Sequence, residues 1–454
     1  MPSYTQNTLT IKRAALFFAL LLTATTLAAQ NNIITVRGTV RDAKTKATIP
    51  DVTIYVEGGV LYTKSNGDGA FVIKIPEKMA GKNLVFSSFG YDRDTIPVKT
   101  VQKKPNIKLK EGGTVKLSDV VVREYTPQTL ITQAVNRIPD IFWTDTTIGT
   151  FFYRDIRQFN GELFLFDEMV FDALRVGYDK HNSTTKLHGD SKKDRSPRLI
   201  ESNFKAILYS RMLLNDSAYL RNLIGTRGAF YLSYSDNDVL VDPVEMPNTT
   251  PYLSTSKRDL KTWNFKMETY TDADSTDYYI VTMTKHNSDL GPTDTKVVLT
   301  IRKSNLAITK MEHIYNSNQN DAPWPLRELQ KKTGIDSVYY FDSLVYHYGD
   351  VEGKMTLTSY SKHNLAHFYY SNDTMFGVRE QTFIVDNQCV LTSQRRGDAT
   401  FFDSNNIQPP VQISIFDRQA SNLSYDEDFW NQYNFVPLEQ AIQKKLKEKL
   451  AKKR

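Results

Sequence analysis

The chain has 454 residues, of which 24% are charged and 40% hydrophobic, and its formal net charge is +6. That length accommodates two or three domains, each with its own core. The basicity is local: residues 444–454 (KKLKEKLAKKR) carry seven basic residues and one acidic one, so a general nucleic-acid-binding surface is excluded. The only cysteine is Cys389, which excludes an intramolecular disulfide.

At the start, Lys12 and Arg13 precede an apolar run from Ala14 to Leu22, and small residues lead to Ala28 and Ala29. This pattern predicts a signal peptide over residues 1–29, because the run is far short of the roughly 20 residues that span a bilayer. No cysteine lies near the cleavage point, so no lipid-modified N-terminus is expected. The expected location is exported: the periplasm or the outer-membrane periphery of a Gram-negative envelope.

From Ile33 the chain turns to short alternating runs, among them IITVRGTVRD, DVTIYVEGG, VLYTKS and GAFVIKI. Val36, Val40, Val52, Ile54 and Val56 recur at the period of half-buried strands, with Gly, Asn, Asp and Pro clusters between the runs. The knot Asn66-Gly67-Asp68-Gly69 reads as hairpin punctuation, since these residues tolerate positive φ. Strands this short and this closely spaced predict a β-sandwich.

The succession resembles the carboxypeptidase regulatory-like domain, a transthyretin-like seven-stranded β-sandwich, over residues 33–110. The residues that carry the resemblance are Gly38 and Val40, Pro50 and Val52, Gly67 and Gly69 before Phe71, and Phe89, Gly90 and Tyr91 of SSFGY. In zinc carboxypeptidases this module accompanies a separate catalytic domain. The seven histidines (181, 188, 286, 313, 347, 363, 367) include no His-x-x-Glu pair and no His-Glu-x-x-His, so the resemblance implies a binding or spacing module. A linker strand is expected over 111–126, where Leu117, Asp119 and Val120 to Val122 resemble the junction found after such a module in TonB-dependent outer-membrane transporters. Too few residues follow for plug and barrel, so the resemblance implies an envelope setting and not a transporter.

Residues 127–138 place Leu130, Ile131, Ala134, Val135 and Ile138 at helical spacing after Pro127, predicting a connecting helix. Two aromatic-rich runs then flank Asn160-Gly161, a strong hairpin signal. The polar stretch 180–198 reads as a loop, and residues 201–224 read as one or two helices. Four runs from Trp263 to Tyr315 predict an antiparallel meander, followed by strands at KMTLTSY, AHFYYS and REQTFIV. The helix, the Phe-Tyr-Arg strand and the closing YDEDFWNQYNFVPLEQ resemble a family of uncharacterised exported envelope proteins, which brings no activity with it. The fold class expected is mainly β: the sandwich, then an α+β domain over 127–436 with a large curved antiparallel sheet and a few helices, then a basic helix over 437–454.

The candidate chemistry has bland counterparts. His363 and His367 are four apart on a strand-like pattern, about 13 Å from each other, which is too far to share one metal. Ser-x-x-Lys occurs at Ser183/Lys186, Ser254/Lys257 and Ser359/Lys362, without the partner motifs of penicillin-recognising enzymes. DADSTD (272–277) and DSNN (403–406) lack the closing Glu of a calcium loop and read as turns. The 25 tyrosines and 24 phenylalanines fit strand cores. The tail places Leu446 and Leu450 on one side of a lysine-rich helix, suited to a solvated end or to an anionic leaflet. No catalytic, cofactor-binding or metal-ligating residue is assigned, and no cofactor is expected. Two readings stay open. One is a non-enzymatic envelope protein that binds a partner protein, a glycan or a lipid; the other is a lipid or lipoprotein carrier, or a hydrolase with its site in the C-terminal sheet, whose meander is similar to the half-barrel of periplasmic lipoprotein carriers.

Overall fold

The computed structural model describes residues 33–59, 61–112, 114–116, 125–145, 147–175, 178, 197–203, 260–272, 275–287, 293–317, 335–370, 380–396 and 433–451. The signal peptide, the valine-rich junction 117–122, most of the polar stretch 180–198, the helical reading of 204–224, DSNN and residues 425–432 of the closing motif lie outside the described residues. The chain is mainly β, with small N-terminal sheets, a large antiparallel sheet and few helices.

The N-terminal strands are β1 (Ile33–Asp42), β2 (Thr53–Val56), β3 (Tyr62–Lys64), β4 (Ala70–Pro76), β5 (Asn83–Ser87), β6 (Asp94–Pro97) and β7 (Asn106–Leu109). They form two sheets, β4-β1-β7 and β3-β2-β5-β6. Alternation along each strand sends Val36, Val40, Ile54, Phe71, Ile73 and Phe86 into one shared core. A short helix, α1 (Val98–Lys103), adds Val98 and Val101 to it. β1 and β7 run parallel, and at Gly38 a Cβ would stand 2.3 Å from the Pro105 carbonyl oxygen. Only glycine fits that approach.

The Asn66–Gly69 knot is a turn, but it does not close a hairpin. Asn66 Oδ1 accepts the N–H groups of Asp68 at 3.0 Å and Ala70 at 2.8 Å, an Asx-type arrangement, and Gly69 has φ +71°. The strands on either side then part: β3 pairs with β2 and β4 with β1, in different sheets. The turn is therefore the arch that carries the chain from one sheet to the other. Its residues satisfy a local conformation, and local turn chemistry does not report which partners the flanking strands choose.

The large sheet has eleven strands in the order β11-β10-β9-β18-β17-β16-β15-β14-β13-β12-β8, all neighbours antiparallel. β8 (Thr114–Lys116) comes from the junction and adds to the β12 edge. β9 (Thr147–Phe159) and β10 (Glu162–Arg175) form the expected hairpin, with Asn160 and Gly161 at φ +48° and +77°. β11 (Pro197–Asn203) is a strand where the loop was expected to give way to helix. The predicted meander is β12 (Asn264–Thr271), β13 (Asp277–Asn287), β14 (Thr293–Arg302) and β15 (Ile308–Ser317). KMTLTSY and AHFYYS merge into one strand, β17 (Lys354–Tyr370), paired with a strand the sequence reading did not propose, β16 (Ile335–Val351); β18 (Glu380–Arg396) follows. In β16 apolar and polar residues occupy both parities, so no clean alternation announces it.

α2 (Pro127–Asn136) starts as predicted, with Pro127 in its first turn and Thr126 Oγ1 accepting the Thr129 N–H at 3.2 Å. With α3 (Ile138–Ile141) it lays Leu130, Ile131, Ala134 and Ile138 on one face of the large sheet, against a core that includes Leu299, Met311, Tyr346 and Leu391. The N-terminal sheets sit on the other face. Phe89 packs over Tyr270 with ring centroids 4.4 Å apart, Tyr62 donates to the Asp350 carbonyl at 3.3 Å, and β3 lies against β18.

A segment from the far end of the sequence joins the two parts. Residues 433–439, without regular secondary structure, lead into α4 (Gln440–Ala451). Phe152 and Val390 receive Val436, and Ile156 and Leu163 receive Leu438, Ile442 and Leu446. The basic helix is thus packed on the β9–β10 hairpin, not a free solvated end. Arg154, 3% exposed, binds Glu168 at 2.7 and 2.5 Å and donates to the carbonyls of Val436 and Pro437. Removing one partner of a buried pair leaves an uncompensated charge, so Arg154→Leu is expected to lower stability by about 3–5 kcal/mol, read as a drop in the urea midpoint. Replacing Arg154 and Glu168 together by apolar residues should cost far less.

Candidate functional site

Strand register assembles a polar band on the helix-covered face of the large sheet. In an antiparallel ladder, residues opposite one another share a face. One row runs His313, Leu344, Lys362, Asn387 across β15 to β18. The next runs Tyr315, Asp342, Asn364, Val385, Arg157 across β15 to β9. Five strands at about 4.8 Å spacing give a band about 19 Å long and two rows, about 7 Å, deep. Toward α2 and α3 it gives way to a row of Met311, Tyr346, Tyr360 and Cys389, which belongs to the apolar core.

The band is largely withdrawn from water. His313 is 4% exposed, Asp342 5% and Arg157 5%, whereas the Lys362 side chain keeps 31% of its surface. Lys362 Nζ lies 3.7 Å from Asp342 Oδ2, and Asn364 Nδ2 donates to the Tyr340 hydroxyl at 2.5 Å. His313 Nδ1 and Asp342 Oδ1 are buried without a hydrogen-bond partner among the described residues. Buried polar atoms of this kind are uncommon and call for an explanation.

The electrostatics follow from burial. Burial drives the His313 imidazole down to about 4, with the Lys362 charge acting in the same direction, so the ring is neutral at pH 7. Burial raises the Asp342 carboxyl, and Lys362 and the Asn364 amide pull it back. Burial also lifts the Tyr340 hydroxyl well above its usual range, helped by Asp342. The result is a compact set of donors and acceptors, with one cation set against one carboxyl at its centre.

Of the residues weighed from sequence, Lys362 stands in the band and the other described ones fall elsewhere. His363 and His367 stand on β17 as strand residues. His363 Nδ1 meets Asp386 Oδ1 at 2.6 Å on the opposite face, and His367 Nδ1 meets Thr382 Oγ1 at 3.0 Å. Ser359 and Lys362 are three apart on the same strand and point to opposite faces. Of DADSTD, residues 272 and 275–277 are described and form a hairpin turn, with Asp272 N–H donating to the Thr276 carbonyl at 2.8 Å. The Ser183/Lys186 and Ser254/Lys257 pairs lie outside the described residues. Among the described residues no three His, Cys, Asp or Glu side chains are placed to hold a metal ion, and no helix is long and apolar enough to cross a membrane.

Sequence reasoning missed Asp342, Asn364, Asn387 and Arg157 because no local spacing links them. The available signal was parity: His313 continues the inward series of Met311, and Asp342 that of Leu344 and Tyr346, at positions that otherwise hold core residues.

The proton linkage of His313 gives a measurable consequence. Its folded value of about 4 lies below the unfolded value of about 6.5, so the unfolded chain takes up the proton first as pH falls. Its contribution is complete above pH 6.5 and is lost progressively down to pH 4. Between pH 7 and pH 5 it accounts for about 2 kcal/mol at 1.36 kcal/mol per unit, and His313→Gln should remove that part of the pH dependence in denaturant titrations. His363 shifts upward through its bond to Asp386, so imidazole NMR should show it protonating above pH 6.5 while His313 stays neutral at pH 5.

No curated protein and no solved structure matches the chain. The residues that carry the two N-terminal sheets and the start of the junction, 36–122, match the model of one family. The N-terminal region of this chain is a CarboxypepD_reg-like domain.

Proposed function

We propose that the protein is a non-enzymatic binding protein of the cell envelope. In this reading the CarboxypepD_reg-like domain, a transthyretin-like sandwich, serves as a fixed base, and the large sheet, curved around its helix-covered face, holds the ligand. The observation that carries it is the buried polar band, where His313 Nδ1 and Asp342 Oδ1 have no partner among the described residues and Lys362 remains open to water. A site of this size, with paired charge and many donors and acceptors, suits an uncharged polar ligand such as a glycan or an extended peptide. The titratable groups on the sheet face favour this reading over an acyl-chain carrier. Export to the periplasm or the outer-membrane periphery belongs to the same proposal and rests on the signal-peptide pattern. Exposed Lys444 and Lys447 on α4 are suited to resting on an anionic leaflet.

Native mass spectrometry of the protein, purified gently from its own envelope, tests the reading. A glycan or peptide adduct that is lost in an Asp342→Asn, Lys362→Met variant is expected. A stoichiometric acyl-containing adduct would establish the carrier reading instead, and turnover of a bound glycan or peptide would establish a hydrolase.

A further inference from the structure

The segment that joins the two parts of the molecule is held in the manner of a bound peptide. Residues 434–439 have no regular secondary structure of their own, and they are held through both main chain and side chains. The Lys74 N–H donates to Asn434 Oδ1 at 2.6 Å, and Asn434 Nδ2 returns a bond to the Lys74 carbonyl at 3.3 Å. Lys74 lies on β4, the outer strand of its sheet, so the Asn434 amide acts as a single peptide unit added to that edge. Phe435 lies under the Lys74 ammonium at 4.7 Å, and Val436 enters the Phe152 and Val390 pocket.

Beyond it the arch takes over. Asn66 Nδ2 donates to the Pro437 carbonyl at 3.1 Å, Gly67 N–H donates to Glu439 Oε1 at 3.3 Å, and Asp68 Oδ2 accepts the Gln440 N–H at 2.7 Å. Asp68 thereby caps the first turn of α4 from a position 372 residues away. From the sheet side, Arg154 reads the carbonyls of Val436 and Pro437. Edge pairing through main-chain bonds, with pockets for alternate side chains, is how extended peptides are recognised at sheet edges.

We infer that the groove between β4, the Asn66–Gly69 arch and the β9 strand is a peptide-recognition site, and that residues 434–440 are its occupant in cis. The ligand it fits is an extended protein segment that presents a side-chain amide, a small apolar side chain two positions on, and a helix start after a proline. A partner segment of that chemistry displaces the resident one. The polar band lies on the opposite face of the sheet, so this site stands or falls apart from the function proposed above. A segment resident in the same chain competes intramolecularly, so the experiment first severs that link.

A protease recognition sequence is inserted between residues 397 and 432 of the full chain, and the folded protein is cut. Fluorescent peptide 433–451 is then added and followed by anisotropy. The expected result is saturable exchange of the labelled peptide for the cut segment. Asn434→Ala in the peptide removes two hydrogen bonds and should weaken binding about tenfold, and Asp68→Ala in the protein should weaken it several-fold. A cut segment that does not exchange under native conditions, or a peptide that binds equally well without Asn434, overturns the proposal. Hydrogen exchange on the uncut chain supplies a second reading that needs no insertion. Opening of the Lys74 and Gln440 amides at a free energy well below global unfolding is expected, and protection equal to the global value overturns the proposal.

Discussion

The arrangement of the molecule depends on one buried guanidinium. Arg154 sits on β9 with almost no contact with water, and an isolated cation there would cost several kcal/mol. Glu168 on the neighbouring strand offsets its charge, and the carbonyls of Val436 and Pro437 take further N–H groups. Satisfying Arg154 in full therefore requires an extended chain at one place on the sheet face. That chain must also reach the edge of β4, and this fixes where the CarboxypepD_reg-like domain stands.

Seen this way, the two faces of the large sheet have separate tasks set by parity alone. Phe151 and Leu391 face the helices, while Phe152 and Val390, one residue along, face the extended segment. A one-residue slip between β9 and β18 would exchange these sets and place Arg154 under the helices. The N-terminal region adds anchors away from that line. Tyr270 donates to the Gly112 carbonyl at 3.0 Å, and burial raises its hydroxyl to about 12, so it remains a donor at any physiological pH. Lys64, buried beside Asp51 at 3.7 Å, is another constraint, since burial pulls its ammonium down against the help of that carboxylate.

Much of this was legible in the sequence where the physics is local. Asn160-Gly161, the four meander strands, the Pro127 helix start and the succession from Gly38 to Tyr91 each declare themselves within a few residues. The arch at Asn66–Gly69 was legible as a turn and misleading as a hairpin, because the choice of strand partner is made by the core. β16 was hidden by tyrosines on both parities. The polar band and the groove were not legible, since Asp342 and Arg157 come to share a row, and Asp68 and Gln440 to meet, only through register and packing across long stretches of chain.

The capping of α4 by Asp68 and the seating of Asn434 on β4 have a consequence for the order of folding. Both contacts close loops of more than 350 residues, whereas the strands of the N-terminal sheets pair across far shorter stretches, the longest 67 residues. Loop closure and high contact order place such contacts late. Until they form, β4 presents an open edge, the usual starting point for pairing between chains. The same residues that lock the finished molecule therefore also close, as a late step, the edge through which copies of the chain could pair.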